Sequence, residues 1–291
     1  MSARRRANLY DRVAEETASI VIRRYSTSFG LAARLLDRRN RQHIENIYAL
    51  VRVADEIVDG GATAAGLSAK DAGGRLDALE KETEASMACG YSSNLVVHAF
   101  ALTARETGIG RALTQPFFES MRSDLAPVEQ TPESFERYVY GSAEVVGIMC
   151  LRSFLEGGDY TDAELADLEA GARALGAAFQ KINFLRDLAT DFRELGRSYF
   201  PGVEVDAFGE ADKDRLLDDI DADLRVSAAV IPKLPLGSRR AVALAHFLFA
   251  ELASRLRATP AAQLVVSRVR VPNPVKLRIA AGAALGRTPG V

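Results

Sequence analysis

Gln180-Lys-Ile-Asn183-Phe-Leu-Arg186-Asp187-Leu-Ala-Thr-Asp191 is the stretch whose reading decides the fold. Its polar members Gln180, Asn183, Asp187 and Asp191 follow at offsets of three, four and four, so on an α-helix they share one face. Opposite and flanking positions, Phe179, Ile182, Phe184, Leu185 and Leu188, are apolar. A helix greasy on most sides that carries two carboxylates and two amides inward needs partners for them, because an unpaired buried charge costs several kcal/mol. The helix extends backwards past Gly176 to Thr161 and Glu164, which form a capping box. That gives a helix of roughly thirty residues, or ~45 Å.

Outward from this helix the period stays at three to four, which makes the class all-α. In Asn40 to Asp59, Ile44, Ile47, Leu50, Val51, Ala54 and Val58 fall on one stripe, and Gly60-Gly61 ends it. Thr131-Pro132 reads as an N-cap with proline at the first helical position, opening one helix that runs to Leu155 and stops at Gly157-Gly158. Further helices are expected at Ala7–Leu36, Ala69–Ala88, Asn94–Thr107, Gln115–Leu125, Asp212–Ile231 and Ser238–Arg257, with a short one after Pro274. No interdomain linker and no internal repeat is visible, so residues 1–291 are expected to form one helical domain with a basic tail from about Leu252.

Composition narrows the chemistry. Of 291 residues 48% are apolar, enough for a large core, and 37 Lys and Arg against 39 Asp and Glu leave a net charge of −2. A nucleic-acid partner is therefore not expected. Two cysteines and three histidines exclude a disulfide scaffold and Cys- or His-rich metal sites. Arg4, Arg5 and Arg6 are not followed by an apolar segment, and the longest uncharged run, Ala85 to Ala104, is broken by Ser, Gly, Asn and His. The expectation is a cytoplasmic protein without a spanning helix.

A second acidic face answers the first. In Arg52-Val-Ala-Asp55-Glu-Ile-Val-Asp59 two carboxylates stand four apart, with Arg52 a turn earlier. Like charges so close destabilise a helix and favour a cation between them. Two oxygen-only clusters beside arginines suit Mg²⁺ bridged to phosphate oxygens. The alternative is a buried Asp–Arg ion-pair network holding the bundle together. A di-iron bundle is disfavoured, since neither helix carries Glu-x-x-His.

These residues resemble those of the squalene and phytoene synthases, head-to-head prenyl transferases of the isoprenoid-synthase fold. Four ordered motifs carry the resemblance: Tyr25-Ser-Thr-Ser-Phe29 with Leu35-Leu36; Ile47-Tyr48-Ala-Leu-Val-Arg52-Val-Ala-Asp55-Glu-Ile-Val-Asp59; Tyr138-Val-Tyr-Gly-Ser-Ala-Glu-Val-Val-Gly147; and Gln180 to Asp191 followed by Arg197-Ser-Tyr199-Phe-Pro201. The resemblance implies a helical bundle around a central cavity. It implies Mg²⁺, with Mn²⁺ as a substitute, on Asp55, Asp59, Asn183, Asp187 and Asp191. Ser26, Ser28, Arg52, Gln180, Arg186 and Arg197 would contact diphosphates, and Phe29, Tyr48, Tyr138, Val146, Gly147, Gly176 and Phe179 would line apolar tunnels; Arg52 and Tyr138 are grouped with the four aspartates as catalytic.

Three departures from the family pattern stand out. Glu56 follows the first aspartate where Asp is usual, Glu144 occupies a position that is usually small, and Phe249 stands where relatives often carry Tyr, so no hydroxyl role transfers there. Arg268 and Lys276 match a basic C-terminal segment only loosely. The resemblance is strongest to the bacterial carotenoid branch, which implies condensation of two geranylgeranyl diphosphates to phytoene without NADPH. A thirty-carbon squalene, dehydrosqualene or presqualene diphosphate synthase shares the same motifs, and an inactive helical assembly protein is the non-enzymatic alternative. Leu252 to Val291 holds seven Arg or Lys and no acid, so peripheral attachment at the inner face of the cell membrane is a further expectation, alongside a merely solvated basic surface. Oligomeric state is not legible.

Overall fold

The computed structural model describes residues 8–125, 131–195, 199–204 and 207–289, with backbone alone over 189–195. Helices account for its regular structure, and the described residues hold no strand. The first expected helix is two. Asn8 and Asp11 cap α1 (Leu9–Tyr25) reciprocally, and Ser26 ends it in an extended conformation, φ −133°. The same Ser26 hydroxyl accepts the Phe29 N–H at 3.1 Å and so opens α2 (Thr27–Ala33). One residue thus serves as stop and start, which periodicity alone does not reveal.

Helix α3 (Arg38–Val58) buries the expected stripe: Ile47, Leu50, Ala54 and Val58 are all at most 5% exposed. Asp59 falls at its C-cap rather than within it. A short α4 (Gly61–Ala64) follows, then α5 (Ala69–Cys89) and α6 (Leu95–Thr107), closed by the left-handed Gly90 and Gly108. Helix α7 (Arg111–Ser123) starts earlier than expected, because Pro116, which favours a first turn, lies inside it.

The helix expected from Pro132 to Leu155 is interrupted. Between α8 (Pro132–Val139) and α9 (Val145–Leu155), Tyr140–Glu144 form one π turn, with the Val145 N–H reaching the Tyr140 carbonyl. Gly141 in this turn sits so close to α7 that a Cβ there would lie 2.2 Å from the Pro116 carbonyl oxygen. Helix α10 (Asp162–Leu195) is the long helix, four residues longer than its expected end near Asp191. It is followed by α11 (Glu210–Val230), α12 (Leu236–Ala258), a four-residue α13 (Ala261–Leu264) and α14 (Asn273–Ala284).

Two large apolar clusters hold the bundle. One joins Ile182, Leu185 and Leu188 of α10 to Leu217 and Ile220 of α11 and Leu256 of α12. The other joins Ile47 and Leu50 of α3 to Phe100 of α6, Phe117 and Phe118 of α7 and Met149 of α9. Helices α3, α9 and α10 nevertheless line a common interior, which Gln180 and Asn183 of the α10 polar face reach. No described helix is long and apolar enough to cross a membrane.

Candidate active site

Where α2, α3, α9, α10 and α12 meet, they leave an apolar cavity of about 280 Å³. Phe29, Tyr48, Val146, Gly147, Gly176 and Phe179 line it, and Gln180 and Asn183 lie on the same wall. Both glycines are there because two helices touch. A Cβ on Gly147 would come 2.4 Å from the Ala172 carbonyl oxygen, and one on Gly176 would come 2.5 Å from that of Ala143. Close α9–α10 packing thus brings the π turn and α10 together as one wall. Ser142 and Cys150, which sequence reasoning passed over, also line it, and the buried Ser142 hydroxyl has no protein partner. Nothing in their spacing separates them from ordinary core positions.

An aromatic partition divides this cavity from a second one. Phe29 lies 5.6 Å from both Phe179 and Phe249, and the last two stack at 3.8 Å between centroids. Phe249, one of the departures, faces the second cavity, of about 410 Å³, which is polar and basic: Ser28, Arg186, Arg268, Arg270 and Lys276 line it. Ser28 and Arg186 were expected to act together, and the fold brings them together. The loosely matched Arg268 and Lys276 join them through α14 and the segment before it.

Asp187 and Asp55 meet arginines. Asp187 accepts from the Arg186 guanidinium, with Nε at 3.0 Å from Oδ1, and Arg268 closes on the same carboxylate with Nε 2.7 Å from Oδ1. On α3, Arg52 donates to Asp55 at 2.9 Å and pairs with Glu56, while its guanidinium lies 4.5 Å from the Tyr25 ring centre. The Arg52–Asp55 and Arg186–Asp187 pairs each lie within one helix and are partly exposed, and only Arg268 reaches Asp187 from another segment, so these pairs are not the buried inter-helix network expected as an alternative. Glu56 also accepts the Gly61 N–H at 2.8 Å, so this departure ties the end of α3 to the next turn. Against desolvation, those donors hold the Glu56 carboxyl below its usual range.

Asp55 goes the other way. Burial first, then the charges of Asp59 and Glu56, push its pKa up to about 6 despite Arg52. Tyr48 is raised as well, chiefly by desolvation. Asp59 follows Asp55 by one turn, and these oxygen-only donors fit a hard divalent cation. The Arg52 Nε, buried without an acceptor, is a spare donor beside them.

Several expected residues lie elsewhere. Tyr138 is not on either cavity wall; it is 6% exposed, donates to Asp124 at 2.9–3.0 Å and packs against Tyr199 at 5.5 Å. Glu144 pairs with Arg173 on α10 at 2.7 Å and does not line the apolar cavity. Ser26 caps α2. The Asp191 side chain and Arg197 lie outside the described residues. Among the described residues, no three acidic, His or Cys side chains converge as a ready metal cage.

The profile of the squalene/phytoene synthase family matches residues 22–274. The chain is 30% identical over 195 residues to a 15-cis-phytoene synthase of Paracoccus sp., which covers 66% of this chain and 62% of that protein. With phytoene synthase 3, chloroplastic, of Zea mays it shares 32% identity over 67% of this chain and 44% of the relative. The chain therefore spans less than two thirds of the length of these two relatives. A phytoene synthase of Mycobacterium bovis is 28% identical over 90% of this chain and 88% of its own. Among solved structures, a dehydrosqualene synthase superposes with a TM-score of 0.77 at 22% identity, covering 94% of this chain and 96% of that one. A squalene synthase of Alicyclobacillus acidocaldarius gives 0.70 at 20% identity, covering 87% and 96%. These two likenesses speak to the fold.

Proposed function

Because the chain belongs to the squalene/phytoene synthase family, we propose that it is a head-to-head prenyltransferase joining two geranylgeranyl diphosphates into phytoene. The observation that carries the chain length is the α10 wall. Leu168, Gly171, Ala172, Leu175, Gly176, Phe179, Gln180 and Asn183 all line the apolar cavity, and Leu168 lies fifteen residues from Asn183. At 1.5 Å per residue that wall is about 22 Å long. Trans Cα atoms three bonds apart are separated by ~3.8 Å, so a four-bond isoprene unit extends about 5 Å. A geranylgeranyl chain of four units then needs about 20 Å and a farnesyl chain about 15 Å. A wall of this length supports the longer chain, whose diphosphate would lie beyond Asn183.

In this reading Ser28, Arg186, Arg268 and Lys276 hold diphosphate oxygens in the basic cavity. Arg186 and Arg268 exchange Asp187 for the incoming phosphates, which frees that carboxylate toward the cation. Asp55 and Asp59 on α3, with Asn183, Asp187 and Asp191 on α10, would hold Mg²⁺, or Mn²⁺ in its place. The bound ion would supply neutralisation of the charge that builds on a departing diphosphate. The C–O bond of one substrate breaks with release of diphosphate, the resulting allylic cation alkylates a double bond of the second, and loss of a proton to the released diphosphate closes the ring of a cyclopropylcarbinyl diphosphate. A second ionisation, rearrangement and proton loss yield phytoene, with diphosphate as the base and no hydride donor required. The apolar wall keeps water from the cations, and the faces of Phe29, Tyr48 and Phe179 offer them π density.

Release of pyrophosphate from geranylgeranyl diphosphate, dependent on added Mg²⁺, tests the reading. Absence of release with folded protein would leave the helical assembly role in its place.

A further inference from the structure

Helix α3 ends in a turn that one side chain spans. Asp59 is the C-cap, with its N–H bonded to the Asp55 carbonyl oxygen at 2.8 Å, and α4 begins two residues later at Gly61. Across this turn Glu56 reaches forward. Its Oε2 accepts the Gly61 N–H at 2.8 Å, a donor that has no acceptor within its own helix. Its Oε1 pairs with Arg52, one turn back. Gly60 lies under the same carboxylate, and a Cβ there would come 2.5 Å from Oε2. Arg52 in turn donates to Asp55 at 2.9 Å through Nη1, pairs with Glu56 through Nη2 and lies over the Tyr25 ring. Both oxygens of Glu56 are therefore engaged by protein donors, one from before Asp55 and one from after Asp59.

We propose that Glu56 is a positioning residue rather than a metal ligand: it braces the turn that presents Asp59 and fixes the Arg52 fork beside Asp55. The length of its side chain makes the brace. Aspartate, the residue usual at this place in the family, is shorter by one carbon–carbon bond, ~1.5 Å. That takes the carboxylate out of hydrogen-bond reach of the Gly61 N–H. Glutamine has the full length and one carbonyl oxygen, so it keeps the Gly61 bond and gives up only the ion pair with Arg52. A metal ligand would rank the two substitutions the other way, because a hard cation prefers the charged carboxylate that aspartate retains. This role rests on the proposed cation site at Asp55 and Asp59.

The test is Mn²⁺ binding to the full chain, read from the electron paramagnetic resonance of the free ion, in the parent, Glu56→Asp, Glu56→Gln and Asp59→Ala. Melting curves and the Mg²⁺ dependence of pyrophosphate release are measured alongside. Glu56→Asp should weaken Mn²⁺ binding about tenfold, the worth of one hydrogen bond to a charged acceptor. It should raise the Mg²⁺ concentration for half-maximal rate by the same factor, with kcat at saturating Mg²⁺ and KM for geranylgeranyl diphosphate at parental values. Glu56→Gln, which loses one partly exposed ion pair, should stay within about threefold of the parent. A greater loss in Glu56→Gln than in Glu56→Asp would make Glu56 a ligand, and unchanged Mn²⁺ affinity in both would leave it a brace of the fold alone; either overturns the proposal. If Asp59→Ala loses the ion while Glu56→Asp binds it like the parent, the cation site stands and the positioning role falls. If Asp59→Ala binds like the parent, or the parent binds no Mn²⁺, the cation site falls and the positioning role with it.

Discussion

Ala172→Phe shortens the cavity at a known height. Residue 172 lies eleven residues from Asn183 along α10, so a phenyl ring there closes the tunnel at about 16 Å. That leaves room for three isoprene units at ~5 Å each but not four. The excluded unit has five carbons, and at ~0.8 kcal/mol per buried CH₂ its loss costs about 4 kcal/mol, on the order of a thousandfold in kcat/KM for the longer substrate. The shorter substrate should be far less affected, because Ala172 lines the cavity beyond the reach of a three-unit chain. The assay is competition between geranylgeranyl and farnesyl diphosphate, with products separated by mass and the melting curve checked in parallel. A folded Ala172→Phe protein that still prefers the twenty-carbon substrate as strongly as the parent would refute the argument that the α10 wall measures chain length.

Asp59→Ala and Asp187→Ala should each abolish turnover while circular dichroism stays unchanged; near-parental pyrophosphate release from either would remove the role assigned to the two acidic faces. Gly176→Ala places a methyl group 2.5 Å from the Ala143 carbonyl oxygen, so chemical denaturation should show a loss of about 1–3 kcal/mol. His246, 5% exposed and beside Ser227 at 3.2 Å, has its pKa lowered by desolvation to about 4, so the unfolded chain takes up its proton first. Stability linked to it is present above pH ~6.5 and falls by up to about 3 kcal/mol as pH drops toward 4. Acid titrations of unfolding should therefore be flatter in His246→Gln, and identical slopes would exclude that linkage.

How far the fold could be read depended on whether the signal was local. Helix α10 was legible because its caps, its period and its polar face all lie within one stretch of chain. The break at Ser26 and the π turn at Tyr140–Glu144 were not, since both answer to contacts made elsewhere: α2 caps on the residue that ends α1, and Gly141 presses on α7. In the site, Phe29, Tyr48, Gly176 and Phe179 could be named from ordered motifs, and they share one cavity wall. Arg268 was only faintly visible, because its partner Asp187 is 81 residues away and no periodicity spans that distance. Tyr138 shows the opposite failure: a motif position whose hydroxyl is held by Asp124 away from both cavities.

The identity of the product decides between the forty-carbon and thirty-carbon reactions. Purified protein incubated with geranylgeranyl diphosphate and with farnesyl diphosphate, each with Mg²⁺ and with or without NADPH, should yield a forty-carbon hydrocarbon from the former, independent of NADPH, when extracts are read by mass spectrometry. A thirty-carbon product formed from farnesyl diphosphate in preference, or no hydrocarbon from either, would contradict the forty-carbon reaction.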